Sequence, residues 1–91
     1  MTERILNYLE VSFPDETTQR GYAAYVISQM LADFPYKEPR EVIGQIYKDI
    51  MEKNYQYLCI TSDQVGDWLY VCTAVLKFIR SEDLKNEFKK V

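Results

Sequence analysis

Cys59 and Cys72 are the only thiols in a chain without histidine, and this limits the chemistry its side chains can perform. Histidine is the usual general base near neutral pH and the commonest metal ligand. Without it, neither cysteine has an obvious base to make it a nucleophile. Two thiols thirteen residues apart also lack the clustering that metal ligation needs. Cys72 reads as a small core residue and Cys59 as the more exposed thiol. Asp63 and Asp67 lie one helical turn apart, a spacing that reads as charge placed at a helix start. Glu16 with Glu41 or Glu52 could form a glycosidase-like acid/base pair, but nothing in the spacing demands it. Gly21, Gly44 and Gly66 are isolated, so neither a P-loop nor a dinucleotide fingerprint is present. Each permits close helix approach or costs about 1 kcal/mol of helix propensity. The expectation is a protein with no catalytic residue, no metal and no cofactor.

Tyrosine is the residue type in excess, with eight in 91 residues. It offers a large, stiff, amphipathic surface at low entropic cost, and it is enriched where proteins touch proteins. The chemistry suggested is therefore recognition.

Four principal helices and a short C-terminal helix would position these residues, in an all-α compact bundle forming a single domain over residues 1–91. The first runs from about Glu3 to Ser12, with Ile5, Leu9 and Phe13 four apart and Leu6 widening the stripe. Thr2 could cap it, and Pro14 stops it. The second runs from about Glu16 to Asp33 with Asp15 as N-cap. Its apolar face groups Ala23, Val26, Ile27, Met30, Leu31 and Phe34, leaving Tyr22, Tyr25, Gln29 and Asp33 on the opposite side. Pro39 opens the third, where its missing N–H costs nothing, and Ile43, Ile46, Tyr47, Ile50 and Met51 carry the stripe to about Asn54. Tyr55 to Ile60 reads as the helix end plus an extended linker, with a short strand as the alternative.

Thr61-Ser62-Asp63-Gln64 has the pattern of a capping box, with Gln64 reaching back to Thr61. The fourth helix follows to about Arg80, apolar over more than half its circumference and therefore central. Its stripe runs through Val65, Leu69, Cys72, Leu76 and Ile79. Ser81, followed by Glu82 and Asp83, reads as the N-cap of a terminal helix that packs Leu84 and Phe88 and exposes Lys85, Lys89 and Lys90.

Composition bounds the setting. An apolar fraction of 47% suffices for one packed core. The uncharged runs, Trp68 to Leu76 and the longer Gly21 to Ala32, are too short to span a bilayer. Met1-Thr2-Glu3-Arg4 leads into a mixed segment without a signal-peptide pattern, so a cytoplasmic protein with reduced thiols is expected. Residues 1–76 carry six Lys or Arg against eleven Asp or Glu, and residues 77–91 five against three. An acidic body repels phosphate backbones and attracts basic partners. The helix after Pro39 mixes Arg40, Lys48 and Lys53 with Glu41, Asp49 and Glu52, which argues against direct nucleic-acid binding.

The expected recognition face is Tyr22, Tyr25, Gln29 and Asp33, extended by Asp15 and Glu16. A second patch combines Tyr55, Tyr57, Asp63 and Asp67. The leading functional expectation is a stoichiometric inhibitor of a protein with a basic surface, such as an immunity protein blocking a toxin nuclease or an anti-defence protein. This is an analogy of class. The alternative is a homodimeric assembly or adaptor module with a tyrosine-rich seam.

Overall fold

The structure is a computed structural model that describes residues 2–89, and the side chains of residues 2–87. Four helices carry the fold: α1 (Thr2–Ser12), α2 (Gln19–Asp33), α3 (Pro39–Met51) and α4 (Val65–Lys89). Two short 3₁₀ turns, Gln56–Leu58 and Ser62–Gln64, lie between α3 and α4. No strand is present among the described residues. The placements expected for Phe88, Lys89 and Lys90 lie outside the described side chains.

Helix α4 is the centre of the bundle and packs against α1, α2 and α3. Trp68, Val71, Cys72, Val75 and Ile79 of α4 are buried against Ile5 and Leu9 of α1, Ala23, Ala24, Ile27 and Leu31 of α2, and Ile43, Ile46 and Ile50 of α3. The deepest stripe of α4 therefore runs through Trp68, Val71, Cys72 and Val75, and Val65, Leu69 and Leu76 border it.

Ser81 does not restart the chain as a new helix. α4 passes through it without a break, because no Gly or Pro follows Gly66 to interrupt the ladder. Glu82 then falls on the buried stripe, three residues after Ile79, and its carboxylate is neutralised by Arg4 of α1.

α2 starts three residues later than its polar prelude suggests. Its N-cap is Thr18, whose hydroxyl accepts from the Gly21 N–H at 2.9 Å, and not Asp15. The Asp15 carboxylate is already committed. It accepts from the Thr17 hydroxyl at 2.6 Å and the Thr17 N–H at 3.0 Å, forming a separate turn ahead of the helix. These bonds, the side-chain one first, hold the Asp15 pKa below its ordinary value. Their contribution is full above the usual carboxylate pKa and is lost as pH falls through the lowered one. The buried face of α2 includes Ala24, and Phe34 is exposed. α1 packs against α2, and this draws the small Ala24 inward.

α3 begins at Pro39 as its sequence indicates, but it ends at Met51. Lys53 adopts φ 63°, and its N–H donates to Ile50 O while that of Asn54 donates to Asp49 O. This pair of bonds is a Schellman closure with lysine in the left-handed position that glycine usually fills. The following Tyr55–Ile60 segment buries Leu58 in a 3₁₀ turn instead of extending, and Cys59 leaves it with φ 54°. With no second strand to pair its backbone, the turn satisfies those groups locally. The capping box forms as its residues imply: the Gln64 side chain accepts from the Thr61 N–H at 3.0 Å, and the Thr61 side chain accepts from the Gln64 N–H.

Candidate interaction surface

The connection from Phe13 to Thr18 returns the chain alongside α1, so α1 and α2 form the walls of an open groove of about 390 Å³. Leu6, Leu9 and Phe13 supply its α1 side, spaced three and four residues apart as one helical face requires. Ala24, Ser28 and Ala32 supply the α2 side, and their small size leaves the groove open. Glu10, Glu16, Tyr25 and Gln29 also line it.

Tyr22 and Tyr25 are 48% and 44% exposed, and Gln29 and Asp33 beside them on α2 are also exposed. Of the expected recognition residues, Tyr25, Gln29 and Glu16 line the groove, while Tyr22 and Asp33 are exposed on α2 outside its lining. Asp15 faces an adjoining cavity at the other side of the connection, together with Phe13, Arg20, Asp67 and Tyr70.

The residues of the second expected patch are engaged in different places. Asp67 accepts from Arg20 Nε at 3.1 Å. Tyr57 donates to Asp49 of α3 and lines a separate cavity between α2 and α3. Tyr55 is half-buried against the core, and Asp63 is exposed in the 3₁₀ turn before α4. Burial first, then the Asp49 hydrogen bond and charge, raise the Tyr57 pKa well above the ordinary phenolic range. That phenol is a hydrogen-bond donor at neutral pH and a poor acid.

One cluster escaped the helical wheels. The Arg20 guanidinium lies over the Tyr70 ring, 3.8 Å from its centroid, and Phe13 meets the same ring edge-on at 6.2 Å. With the Arg20–Asp67 ion pair, this ties the α1–α2 connection to α4. Tyr70 on a polar stripe and an unmatched Arg20 were the available signals, but their partnership spans fifty residues. The Tyr8 ring stacks on Phe78 at 4.5 Å, which accounts for another tyrosine as packing between α1 and α4.

Among the described residues, no group of three or more Cys, Asp or Glu is arranged to hold a metal ion, and no helix is long and apolar enough to cross a membrane. Cys72 is buried, and burial pushes its thiol up to about 12, so it stays protonated near neutrality. Cys59 is exposed. A disulfide-exchange reagent should therefore titrate one thiol per native chain rapidly and two after denaturation. Cys59→Ser should remove the rapid phase, and two equally fast native thiols would contradict this burial.

No protein-family model matches the chain, and no curated protein or solved structure matches it. The helical fold and the surface it presents are therefore the grounds for a functional reading.

Proposed function

We propose that this is a cytoplasmic, non-enzymatic protein that binds and neutralises a protein partner with a basic surface, in the manner of an immunity protein or an anti-defence inhibitor. The observation that carries the reading is the exposure of Tyr22 and Tyr25 together on α2, beside Gln29 and Asp33. Large aromatic rings left in water cost hydrophobic free energy that a partner would recover, and tyrosine is a preferred anchor at such contacts. Glu16 and Asp15 extend the negative field, which would speed encounter with a basic protein and select against acidic ones. A stoichiometric blocker needs only area and charge, which suits a chain this small.

The test is a Tyr22→Ala/Tyr25→Ala variant. Both side chains are substantially exposed, so circular dichroism and Tm should stay close to wild type. Affinity for a partner captured by the wild-type protein should fall about a hundredfold or more, as expected for two anchoring aromatics. Unchanged affinity in the folded variant would sink this face as the binding surface. Light scattering separates the alternative, a homodimer: a dimer that dissociates in the same variant would assign these tyrosines to a self-association seam.

A further inference from the structure

We propose that the α1/α2 groove seats a basic amphipathic helix belonging to the partner, an assignment that rests on the partner-binding reading above. Both walls are helices whose backbone groups are bonded internally, so the groove offers no ladder to an extended peptide. The occupant must satisfy its own backbone, and a helix does so. From Gly21 to Ala32 the α2 wall runs about 16 Å, three helical turns, which suits anchors at i, i+3 or i+4, and i+7. The partly exposed Leu6 and Phe13 would meet those anchors over a floor closed by the buried Leu9, and the small Ala24, Ser28 and Ala32 let a third helix approach closely.

The sign of the occupant's charge follows from how the arginines are used. Residues 2–36 hold five carboxylates, Glu3, Glu10, Asp15, Glu16 and Asp33, and two cations, Arg4 and Arg20. Both cations are turned onto α4: Arg4 pairs with Glu82, and Arg20 pairs with Asp67 and covers Tyr70. No lysine or arginine lines the groove among the described residues, while Glu10 and Glu16 do. An apolar floor with carboxylates and no cation complements an apolar stripe flanked by Lys or Arg, and it repels an acidic helix or an anionic lipid surface.

The experiment titrates the isotopically labelled full chain with a synthetic Leu/Lys amphipathic helix and, separately, with a Leu/Glu helix of the same apolar pattern, reading amide shifts. The Leu/Lys probe should give saturable shifts centred on residues 6–13 and 21–32, and the Leu/Glu probe none. Glu10→Lys/Glu16→Lys should weaken the Leu/Lys probe about tenfold. Ala32→Trp, which fills the groove without changing charge, should weaken it independently. Shifts scattered over all the carboxylates, shifts centred on the α1/α4 side, equal binding of both probes, or concentration-dependent self-association through the groove would each overturn the assignment. If the probe fails to bind while Tyr22→Ala/Tyr25→Ala still releases a captured partner, the groove assignment falls and the partner reading stands.

Discussion

Gly21→Ala is expected to destabilise the protein by about 2 kcal/mol, lowering Tm by about 10 °C, although alanine is the better helix former. A Cβ at this position would lie 1.7 Å from the Asp15 carbonyl oxygen and 2.5 Å from its carbon. Those are backbone atoms, so no side-chain rotation relieves the overlap. The connection must shift, and with it the Thr18 cap, since the Thr18 hydroxyl donates to the same Asp15 carbonyl at 2.8 Å and accepts from Gly21 N–H. Gly44 and Gly66 meet open space, and there alanine should stabilise by up to about 1 kcal/mol through helix propensity alone. Three identical substitutions are thus expected to differ in sign, which thermal or urea denaturation reads directly. A Gly21→Ala protein as stable as wild type would mean that the connection does not lie against α2. The consequence reaches the proposed surface as well, because this connection carries Asp15 and Glu16 and places Phe13 in the groove.

Removing Arg4 is expected to cost more than removing the carboxylate it pairs with. The Glu82 side chain is 8% exposed and that of Arg4 is 62% exposed. Arg4→Ala leaves a buried carboxylate with only Lys85, 3.7 Å away, and should cost about 2 kcal/mol; the exposure of Arg4 keeps the loss below that of a fully buried pair. Glu82→Leu instead continues the buried stripe of α4 after Val75 and Ile79 and releases an arginine that water already solvates. Its effect should be close to neutral or stabilising. Arg4→Ala/Glu82→Leu should recover most of the loss seen for Arg4→Ala, which a double-mutant cycle in urea would measure. If Glu82→Leu proves the more damaging of the two, the ion pair itself, and not the burial of one end, holds α1 to α4.

These two cases mark where local reading succeeds and where it stops. The capping box of Thr61 and Gln64 is legible because both partners fall within one turn. Pro39 and Glu41 mark the start of α3 for the same reason. The outward position of Tyr22, Tyr25, Gln29 and Asp33 follows from a helical wheel, since a fifteen-residue helix in a small bundle must turn one side to solvent. The end of α3 was less legible, because a left-handed lysine carries no compositional mark. By type Asp15 is a somewhat better cap than Thr18. The choice between them rests on Thr17 occupying the Asp15 carboxylate and on Gly21 admitting the chain. Ser81, Glu82 and Asp83 resemble a helix start, yet α4 runs on through them, and the partner of the buried Glu82 carboxylate, Arg4, lies seventy-eight residues away.

The chain by itself determined an all-helical bundle, an acidic tyrosine-rich surface and the side of α2 that faces water. Each depends on periodicity, composition or contacts within one turn. The tertiary structure decided which tyrosines pack, as Tyr8 does on Phe78, and which remain exposed, as Tyr22 and Tyr25 do. It also decided that both arginines of the first two helices are spent on α4, leaving a largely apolar groove lined by Glu10 and Glu16 and, among the described residues, by no cation. Such pairings depend on how whole helices are set against one another, and no short window of sequence contains both partners.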